Sequence, residues 1–313
     1  MGISREELFK SLGVIKEGPR LDGWTDRAYK QEEERRWRDD PYFSSSFHAS
    51  SYPGSDKSCG RQALYKLMNF PEPEPISPRG IGIMNVGKCV EEQIVERWAK
   101  MGILLGPQPP NQLRIEFENL WLSGYGDAVL NLLPEYNYVL PVEIKTKKNS
   151  VIEYMKVGGQ SYDENHYYQL QAYTLWCVQN HKKMGWDILG LKLAQGGTIY
   201  YVSREDPRNT HEFYVEFDYV LAQEAAERLK QWRQNFLEDE LPERPKGWKW
   251  TDKPCQWCPF KKHICKPDYQ QDIVKLSESN GVQFAQAHSA SYNVENIRRK
   301  VEERWMIKQL KLF

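Results

Sequence analysis

The chain has 313 residues, of which 40% are hydrophobic and 27% are charged. This length and apolar content can bury a core in one large domain or two small ones. The 43 lysine and arginine residues equal the aspartate and glutamate residues in number, so no whole-molecule field draws the protein to a polyanion or a membrane surface. A nucleic-acid site must therefore be local.

The sequence shows no apolar run of the length that a signal peptide or a membrane span requires. The first 20 residues, MGISREELFKSLGVIKEGPR, lack a basic region followed by an apolar core. We therefore expect a soluble, cytoplasmic protein with no membrane partner. In that reducing compartment the six cysteines are expected to bind metal rather than to form a disulfide framework.

The first half of the chain predicts an arm, a loop and a helix. Residues 1–50 are predicted to form a charged N-terminal arm, and the segment NFPEPEPISPRG (69–80) is predicted to be a loop because repeated X-Pro steps disfavour helix. An amphipathic helix is predicted to follow and to end near residue 101, since apolar residues recur at three-to-four spacing: Ile83, Val86, Val90, Ile94 and Trp98.

Strands and further helices follow in an order typical of an α/β protein. The runs QLRIEF, LWLSGYGDAVLNLL and YVLPVEIKT predict an antiparallel meander. A second helix is predicted over about 162–181. Strands DILGLKLA, TIYYVSRE and HEFYVEF come next, with a Gln-Gly-Gly turn before the second. A helix from Tyr219 to about Phe236 and a helical tail follow, with one apolar tail face: Val294, Ile297, Val301, Trp305 and Leu312. We expect a mixed central β-sheet flanked by helices.

The segment PVEIKTKK (141–148) carries an acid and a lysine two positions apart. Because strand side chains alternate between faces, Glu143 and Lys145 share a face with Cα atoms roughly 6.5 to 7 Å apart. Val142 and Ile144 point to the opposite face. An isolated acid and lysine in this pattern more often decorate a solvated strand than form a site.

Two further acids favour a metal site. Asp127 follows two glycines in LSGYGDAV on the preceding strand, and two carboxylates on adjacent strands can hold Mg²⁺ or Mn²⁺. Beside a metal-bound water, the Lys145 ammonium can orient the nucleophile or stabilise charge on a phosphoryl group. Glu91 lies beside the apolar stripe of the first helix and is the candidate third ligand, with a surface glutamate as the alternative.

A polar pair on the second helix is the next candidate. Gln169 and Tyr173 are four residues apart and lie on one helix face. Together they can reach a phosphate or a base beside the metal. The alternative is an ordinary helix rim.

The segment KPCQWCPFKKHIC places Cys255, Cys258 and Cys265 in a C-x2-C-x6-C array, which strongly indicates a metal site. A tetrahedral zinc site or an iron–sulfur cluster requires a fourth ligand. Spacing does not choose among the remaining cysteines, but Cys59 is favoured because it follows a loop, whereas the other two, Cys89 and Cys177, fall in predicted helices. From the cysteine spacing alone, the site can be either a zinc site or an iron–sulfur cluster.

Taken together, these segments resemble the PD-(D/E)XK nuclease superfamily, in particular its iron–sulfur RecB-like branch, which includes CRISPR-associated exonucleases and the AddB nuclease domain. The resemblance spans about residues 55–268 and lies in segments that follow the family's order: CGRQALY, VGKCVEE, SGYGDAV, PVEIKTKK, QLQAY and the three-cysteine array.

The resemblance implies a restriction-endonuclease-like core and a division of roles. Asp127 and Glu143 are implied to bind the catalytic metal, and Lys145 to assist the attacking water. Gln169 and Tyr173 match the family's helix motif. The resemblance assigns a [4Fe-4S] cluster to four residues, Cys59, Cys255, Cys258 and Cys265. This chain departs from the pattern in having Glu91 where many relatives have histidine, and in a last cysteine spacing of six rather than five.

Together, these expectations predict a DNA nuclease, and one alternative function stays open. We expect a Mg²⁺- or Mn²⁺-dependent exonuclease that acts on single-stranded DNA or DNA ends. The expected process is recombination, repair, phage DNA processing or CRISPR adaptation. A helicase or recombination protein is a candidate partner, and the protein can form an oligomer. The expected domains are the arm, a nuclease domain with its iron–sulfur clamp (51–268) and a helical tail (269–313). Four lysines are candidate strand contacts: Lys147, Lys148, Lys261 and Lys262. The alternative is a non-catalytic DNA-binding scaffold with zinc.

Overall fold

A computed structural model of the chain describes residues 45–53, 58–72, 77–131, 137–242, 255, 258–265, 275–288 and 292–310. The chain divides into a unit of Met1–Tyr42 with Ile76–Ile83 and a unit of Phe43–Pro75 with Met84–Phe313. In the first unit only residues 77–83 are described, and the predicted arm lies outside the described residues up to residue 44. The sheets and cores below belong to the second unit.

The described residues form seven α-helices and eight β-strands. The helices are α1 Gly60–Leu67, α2 Pro78–Lys100, α3 Asn149–Lys156, α4 Glu164–Asn180, α5 Tyr219–Leu237, α6 Asn280–His288 and α7 Val294–Leu310. The strands are β1 Phe47–His48, β2 Leu113–Phe117, β3 Leu122–Gly126, β4 Ala128–Asn131, β5 Tyr138–Lys147, β6 Lys192–Leu193, β7 Gly196–Ser203 and β8 Thr210–Glu216.

The strands form two sheets. In the smaller sheet β3 lies between β1 and β2, pairing in parallel with β1 and antiparallel with β2. The larger sheet has the order β4-β5-β7-β8, with β6 beside the start of β5. Its central pair, β5 and β7, is parallel, and both outer pairs are antiparallel. This arrangement confirms the predicted α/β class with a mixed sheet flanked by helices.

The predicted three-stranded meander is wrong at Asp127. The run LWLSGYGDAVLNLL is not one strand: its first half, β3, pairs with β2, and its second half, β4, pairs with β5 in the other sheet. At the break, Asp127 Oδ2 accepts a hydrogen bond of 2.8 Å from the backbone N–H of Ile144. A side chain therefore takes a backbone donor of β5 at the point where the chain changes sheets.

The predicted Gln-Gly-Gly hairpin is also wrong. Only Lys192–Leu193 of the segment DILGLKLA forms a strand, and it pairs in parallel with β5 rather than with β7. Gly196 and Gly197 lie inside β7, opposite β8. A Cβ atom on Gly196 would lie 1.9 Å from the Val215 carbonyl oxygen, so close approach of two backbones, not a turn, explains this glycine.

Helix boundaries match the predictions where an aspartate caps the helix, but the start of α2 differs from the prediction. The helix α2 begins at Pro78, five residues before the predicted start, since proline is well tolerated in a first helical turn. Asp163 and Asp218 cap α4 and α5 by accepting backbone hydrogen bonds of 2.9 Å. The short helices α1 and α3 have too few residues for the periodic pattern to reveal them, and they were not predicted.

Helices cover both faces of the larger sheet. On one face α2 packs against β4 and β5 through an apolar cluster: Val90, Ile94, Ala128, Leu130, Val142, Ile144 and Val202. On the other face α3 and α4 pack against β7 and β8 through a second cluster: Ile152, Met155, Leu170, Ile199, Tyr201 and Val215. Glu143, in the middle of β5, is fully buried between these layers.

The largest core joins both ends of the described chain to the smaller sheet. Trp305 of α7 stacks on Trp121 with ring centroids 6.3 Å apart and donates a hydrogen bond of 2.7 Å to the Ser45 carbonyl. Phe47 packs edge-on against Trp232 of α5. The helical tail thus packs on the body through Val294, Val301 and Trp305, while Leu312 lies outside the described residues. The domain boundaries at residues 50 and 268 stay predictions.

In the described part of the chain, every helix is too short or too polar to cross a membrane.

Candidate active site

The acid and lysine of β5 lie on the face of the sheet that α4 covers. Glu143 and Lys145 pair in register with Ile199 and Tyr201 of β7, which belong to the cluster on that face. The Lys145 ammonium contacts the Glu143 carboxylate and lies 3.8 Å from Asp127 Oδ2. The alternation of the strand thus produces a real contact, as the sequence predicts, and not a solvated decoration, because Glu143 is fully buried.

Asp127 reaches the same point from the neighbouring strand. The β4–β5 ladder begins with Ala128 opposite Val142, so one further step would place Asp127 opposite Glu143. Directly opposed residues on antiparallel strands bring their side chains within contact distance. The hydrogen bond from the Ile144 N–H then fixes the orientation of the Asp127 carboxylate.

The Glu143 carboxylate is fully buried next to a second carboxylate. The Lys145 ammonium contacts Glu143 Oε1 and is its one ion-pair partner among the described residues. Taking a charge out of water costs several kcal/mol, which a single ion-pair partner shared with Asp127 only partly offsets. Strongly perturbed buried acids of this kind cluster at functional sites.

Burial raises the pKa of both carboxylates. Burial raises the pKa of Glu143 well above its ordinary value, and the adjacent Asp127 charge raises it further. Burial also raises the pKa of Asp127, against the opposing effects of the Lys145 charge and the Ile144 N–H. Burial lowers the pKa of Lys145, but the two carboxylates outweigh it, so the pKa is raised and the ammonium stays charged.

Glu91 lies near the pair but is held by another residue. Its Oε1 accepts a hydrogen bond of 3.1 Å from Gln112 Nε2. Burial, followed by the Asp127 charge, raises the pKa of Glu91 to about 7. Among the described residues, no three histidine, cysteine, aspartate or glutamate side chains converge closely enough to hold a metal ion. The structure therefore brings together Asp127, Glu143 and Lys145, with Glu91 at their margin.

A cavity of about 550 Å³ opens beside this group. Both Asp127 and Glu91 line it, between α2 and the segment 104–113. Its volume falls in the range of small-molecule sites. A ligand in the cavity would contact Asp127 and Glu91, whereas Glu143 and Lys145 do not line it.

The helix pair forms an internal hydrogen-bond chain rather than two free groups. Gln169 Nε2 donates to Tyr173 Oη, and Tyr173 Oη donates a bond of 2.8 Å to the Tyr125 carbonyl. Burial raises the pKa of Tyr173, and the charges of Asp127 and Glu143 raise it further. These hydrogen bonds connect α4 to β3 at Tyr125, two residues before Asp127.

A histidine that sequence reasoning missed lies one helical turn before Gln169. His166 Nδ1 is 2.8 Å from Tyr201 Oη, and Tyr201 is the register partner of Lys145. Burial, then the Lys145 charge, lowers the pKa of His166 to about 4. The signal in the sequence is the i, i+3, i+7 spacing of His166, Gln169 and Tyr173, which places all three on one helix face.

The four predicted cluster cysteines line one small cavity, together with Gln62, Tyr65 and Lys261: they are Cys59, Cys255, Cys258 and Cys265. Burial and the neighbouring thiols raise the pKa of Cys258 to about 12, and burial raises that of Cys59 as well. Cys89 is exposed on α2 and Cys177 is buried in α4, and neither lines this cavity. The thiols share a site, but they do not take ligand spacing here.

The candidate strand-binding lysines are only partly near the acids. Lys147 Nζ lies 5.8 Å from the centroid of the Tyr201 ring, and Lys148 is exposed immediately before α3. Lys261 lines the cysteine cavity instead. The side chain of Lys262 lies outside the described residues.

Comparison with known proteins yields a distant structural likeness. No family model and no curated protein matches the chain. Among solved structures, the crystal structure of LHK-Exo in complex with dAMP aligns with a TM-score of 0.39 and 16% sequence identity, covering 62% of this chain and 91% of that one.

Replacing Glu143 by Gln is expected to stabilise the metal-free protein by about 1–3 kcal/mol at about pH 8, because burial and the Asp127 charge disfavour the charged form of Glu143 and glutamine carries no charge. The gain should shrink towards about pH 5. With its raised pKa, the folded protein keeps the Glu143 proton where the unfolded chain has lost it, so the parent loses stability as the pH rises through that window.

Urea unfolding in the presence of a chelator at both pH values measures this difference. Glu212→Gln, an exposed change on β8, is the matched control and should leave the unfolding free energy unchanged within about 0.5 kcal/mol. An E143Q variant that is less stable than the parent at the higher pH would contradict the electrostatic assignment.

Proposed function

We propose that the protein is a metal-dependent DNA nuclease whose reaction centre is formed by Asp127, Glu143 and Lys145. The observation that carries the proposal is the fully buried Glu143 carboxylate, which lies opposite a second carboxylate, Asp127, and shares one ammonium group, Lys145, with it. A fold retains such an unfavourable pair where a cation or a reaction uses it.

The residues fit a hard divalent ion. Two carboxylates supply the oxygen ligands that Mg²⁺ and Mn²⁺ prefer, and such ions keep several waters when a protein offers only one or two carboxylates. A cation would lower the raised pKa of both acids and remove the electrostatic cost of their burial. Asp127 and Glu143 would hold the ion, and Glu91 would reach it through water because Gln112 holds its Oε1.

The protein's own groups complete the site for phosphodiester hydrolysis. When bound, the divalent ion supplies water activation and neutralises charge on the phosphate. Lys145 keeps its proton because of its raised pKa, so its ammonium can orient the attacking water and stabilise the negative charge that develops. Tyr173, fixed by the Tyr125 carbonyl and by Gln169, excludes water from the side of α4.

We also propose the RecB-like, iron–sulfur branch of the PD-(D/E)XK superfamily as the origin of this site, with DNA ends or single strands as substrate. Supporting features are the motif order in the sequence, the mixed α/β sheet and the four cysteines that line one cavity. A [4Fe-4S] cluster there would join the start of α1 to the segment after α5. Cys59 and Cys255 are 196 residues apart in the sequence. Cytoplasmic DNA processing with a helicase or recombination partner belongs to the same proposal.

Asp127→Asn and Lys145→Ala are each expected to lower the rate of single-stranded DNA cleavage at least about 100-fold, because each removes charge stabilisation from the reaction centre. The measurement is cleavage of strands labelled at the 5′ or 3′ end with Mg²⁺ or Mn²⁺. Lys192→Ala, an exposed lysine of β6, is the control and should cut as the parent does. Variants that cut as fast as the parent would contradict the site.

Purified protein is expected to be brown, with absorbance near about 400 nm and stoichiometric iron and sulfide. Cys255→Ser should lose the colour and lower the melting temperature, whereas Cys89→Ser, at an exposed position of α2, should keep both. A colourless protein with stoichiometric zinc and no cleavage would instead support the DNA-binding scaffold.

A further inference from the structure

His166 lies in the first turn of α4, on the same helix face as Gln169 and Tyr173. The three side chains follow an i, i+3, i+7 pattern, so they form one row along the helix. Tyr173 donates a hydrogen bond to the carbonyl of Tyr125, two residues before Asp127. His166 contacts Tyr201, which pairs in register with Lys145. The row therefore runs along the reaction centre, and His166 marks its lysine end.

Tyr201 fixes the position of the His166 ring. The Tyr201 ring is fully buried, and its residue pairs in register with Lys145 across β5 and β7. Its hydroxyl oxygen accepts a bond of 3.1 Å from the Asp163 N–H and lies 2.8 Å from His166 Nδ1. One phenol thus connects the first turn of α4 to the strand beside the reaction centre.

The same contacts determine which imidazole nitrogen carries hydrogen. Burial raises the pKa of Tyr201 to about 12, so the phenol keeps its proton at neutral pH. That hydroxyl already accepts from Asp163, and its single hydrogen has one acceptor within the described chain, His166 Nδ1. Nδ1 is therefore the acceptor, and the hydrogen of the neutral ring lies on Nε2.

The Nε2–H is free to bind something else. Within the described residues it has no hydrogen-bond partner, and the side chain is half-buried, not enclosed. Its pKa of about 4 keeps the ring neutral at neutral pH, so it offers a donor without adding a second cation next to Lys145. A neutral, oriented donor beside an ammonium suits an anionic oxygen.

We propose that His166 is a substrate-binding residue that donates its Nε2–H to a non-bridging oxygen of the DNA phosphate held beside Lys145, with Tyr201 as the positioning residue that sets its tautomer. This inference rests on the proposed nuclease function and extends it to a residue outside the acid and lysine motif.

Three substitutions separate a donor role from a structural one. His166→Ala removes the donor and should lower kcat/KM for single-stranded DNA about 10- to 100-fold, the effect of one hydrogen bond to a charged group. His166→Gln restores an amide N–H near the Nε2 position and should recover most of that loss. Tyr201→Phe keeps the ring but removes the hydroxyl, so it should reduce kcat/KM and also change the tautomer.

Histidine ¹⁵N shifts of the parent should show a protonated Nε2 and an unprotonated Nδ1 for His166, and Y201F should mix the two tautomers. The matched control is His181→Gln, since His181 caps the other end of the same helix, about 20 Å away, where it bonds the Leu191 carbonyl. This control should leave kcat/KM and the His166 shifts unchanged.

Different results separate this inference from the function on which it rests. Normal cleavage by H166A, together with no cleavage by D127N, would overturn the role of His166 and leave the nuclease assignment intact. Equal losses in H166A and H166Q, or a protonated Nδ1 in the parent, would also overturn it. A parent protein that cuts no DNA with either ion would overturn both.

Discussion

Two like-charged carboxylates buried beside a single ammonium group are the constraint on which the rest of the site depends. Glu143 is fully buried, Asp127 lies opposite it on the neighbouring strand, and Lys145 forms ion pairs with both. One ammonium cannot balance two carboxylates, and the low polarity of the interior makes the remaining repulsion costly. Burial raises the pKa of both acids, and the Asp127 charge raises the pKa of Glu143 further. A bound divalent cation would change the net charge of this group from negative to positive, and for this reason we propose that the pair is a metal site.

The fold sustains this charge group by placing it between well-packed apolar layers. The opposite face of β5 carries Val142 and Ile144 into the cluster under α2, and β7 carries Ile199 into the cluster under α4. These contacts fix the strand while its polar face remains strained electrostatically. The change of sheets at Asp127 adds the second carboxylate without interrupting β5, because the Asp127 side chain itself bonds the Ile144 N–H.

The local parts of this arrangement follow from sequence, whereas the long-range parts do not. Alternation along β5 places Glu143 and Lys145 on one face, and the structure shows them in contact. The break at Asp127 could not be foreseen, because the apolar run is continuous and sheet membership depends on distant partners. Gly196 was interpreted as a turn residue, yet the close approach of Val215 requires it within a strand.

The same limit applies to the residues around the centre. The helical pattern places Glu91 towards the sheet, but Gln112 from an irregular segment holds its carboxylate. Helical spacing places His166 on the face of Gln169 and Tyr173, but its orientation comes from Tyr201, 35 residues later on another strand, which no local pattern reveals. Context favoured Cys59 over Cys89 and Cys177, and the structure places Cys59 at the cavity of the cysteine array. Its role as a cluster ligand stays a prediction.

The most direct test of the central claim is a calorimetric titration of chelator-treated protein with Mn²⁺. We predict saturable binding of one ion or more at the acid pair by the parent, accompanied by proton release at pH values near the raised pKa values. The double variant D127N/E143Q should lose this binding, while a matched double variant of exposed acids, D187N/E212Q, should retain it. Equal Mn²⁺ binding by D127N/E143Q and the parent would contradict the account.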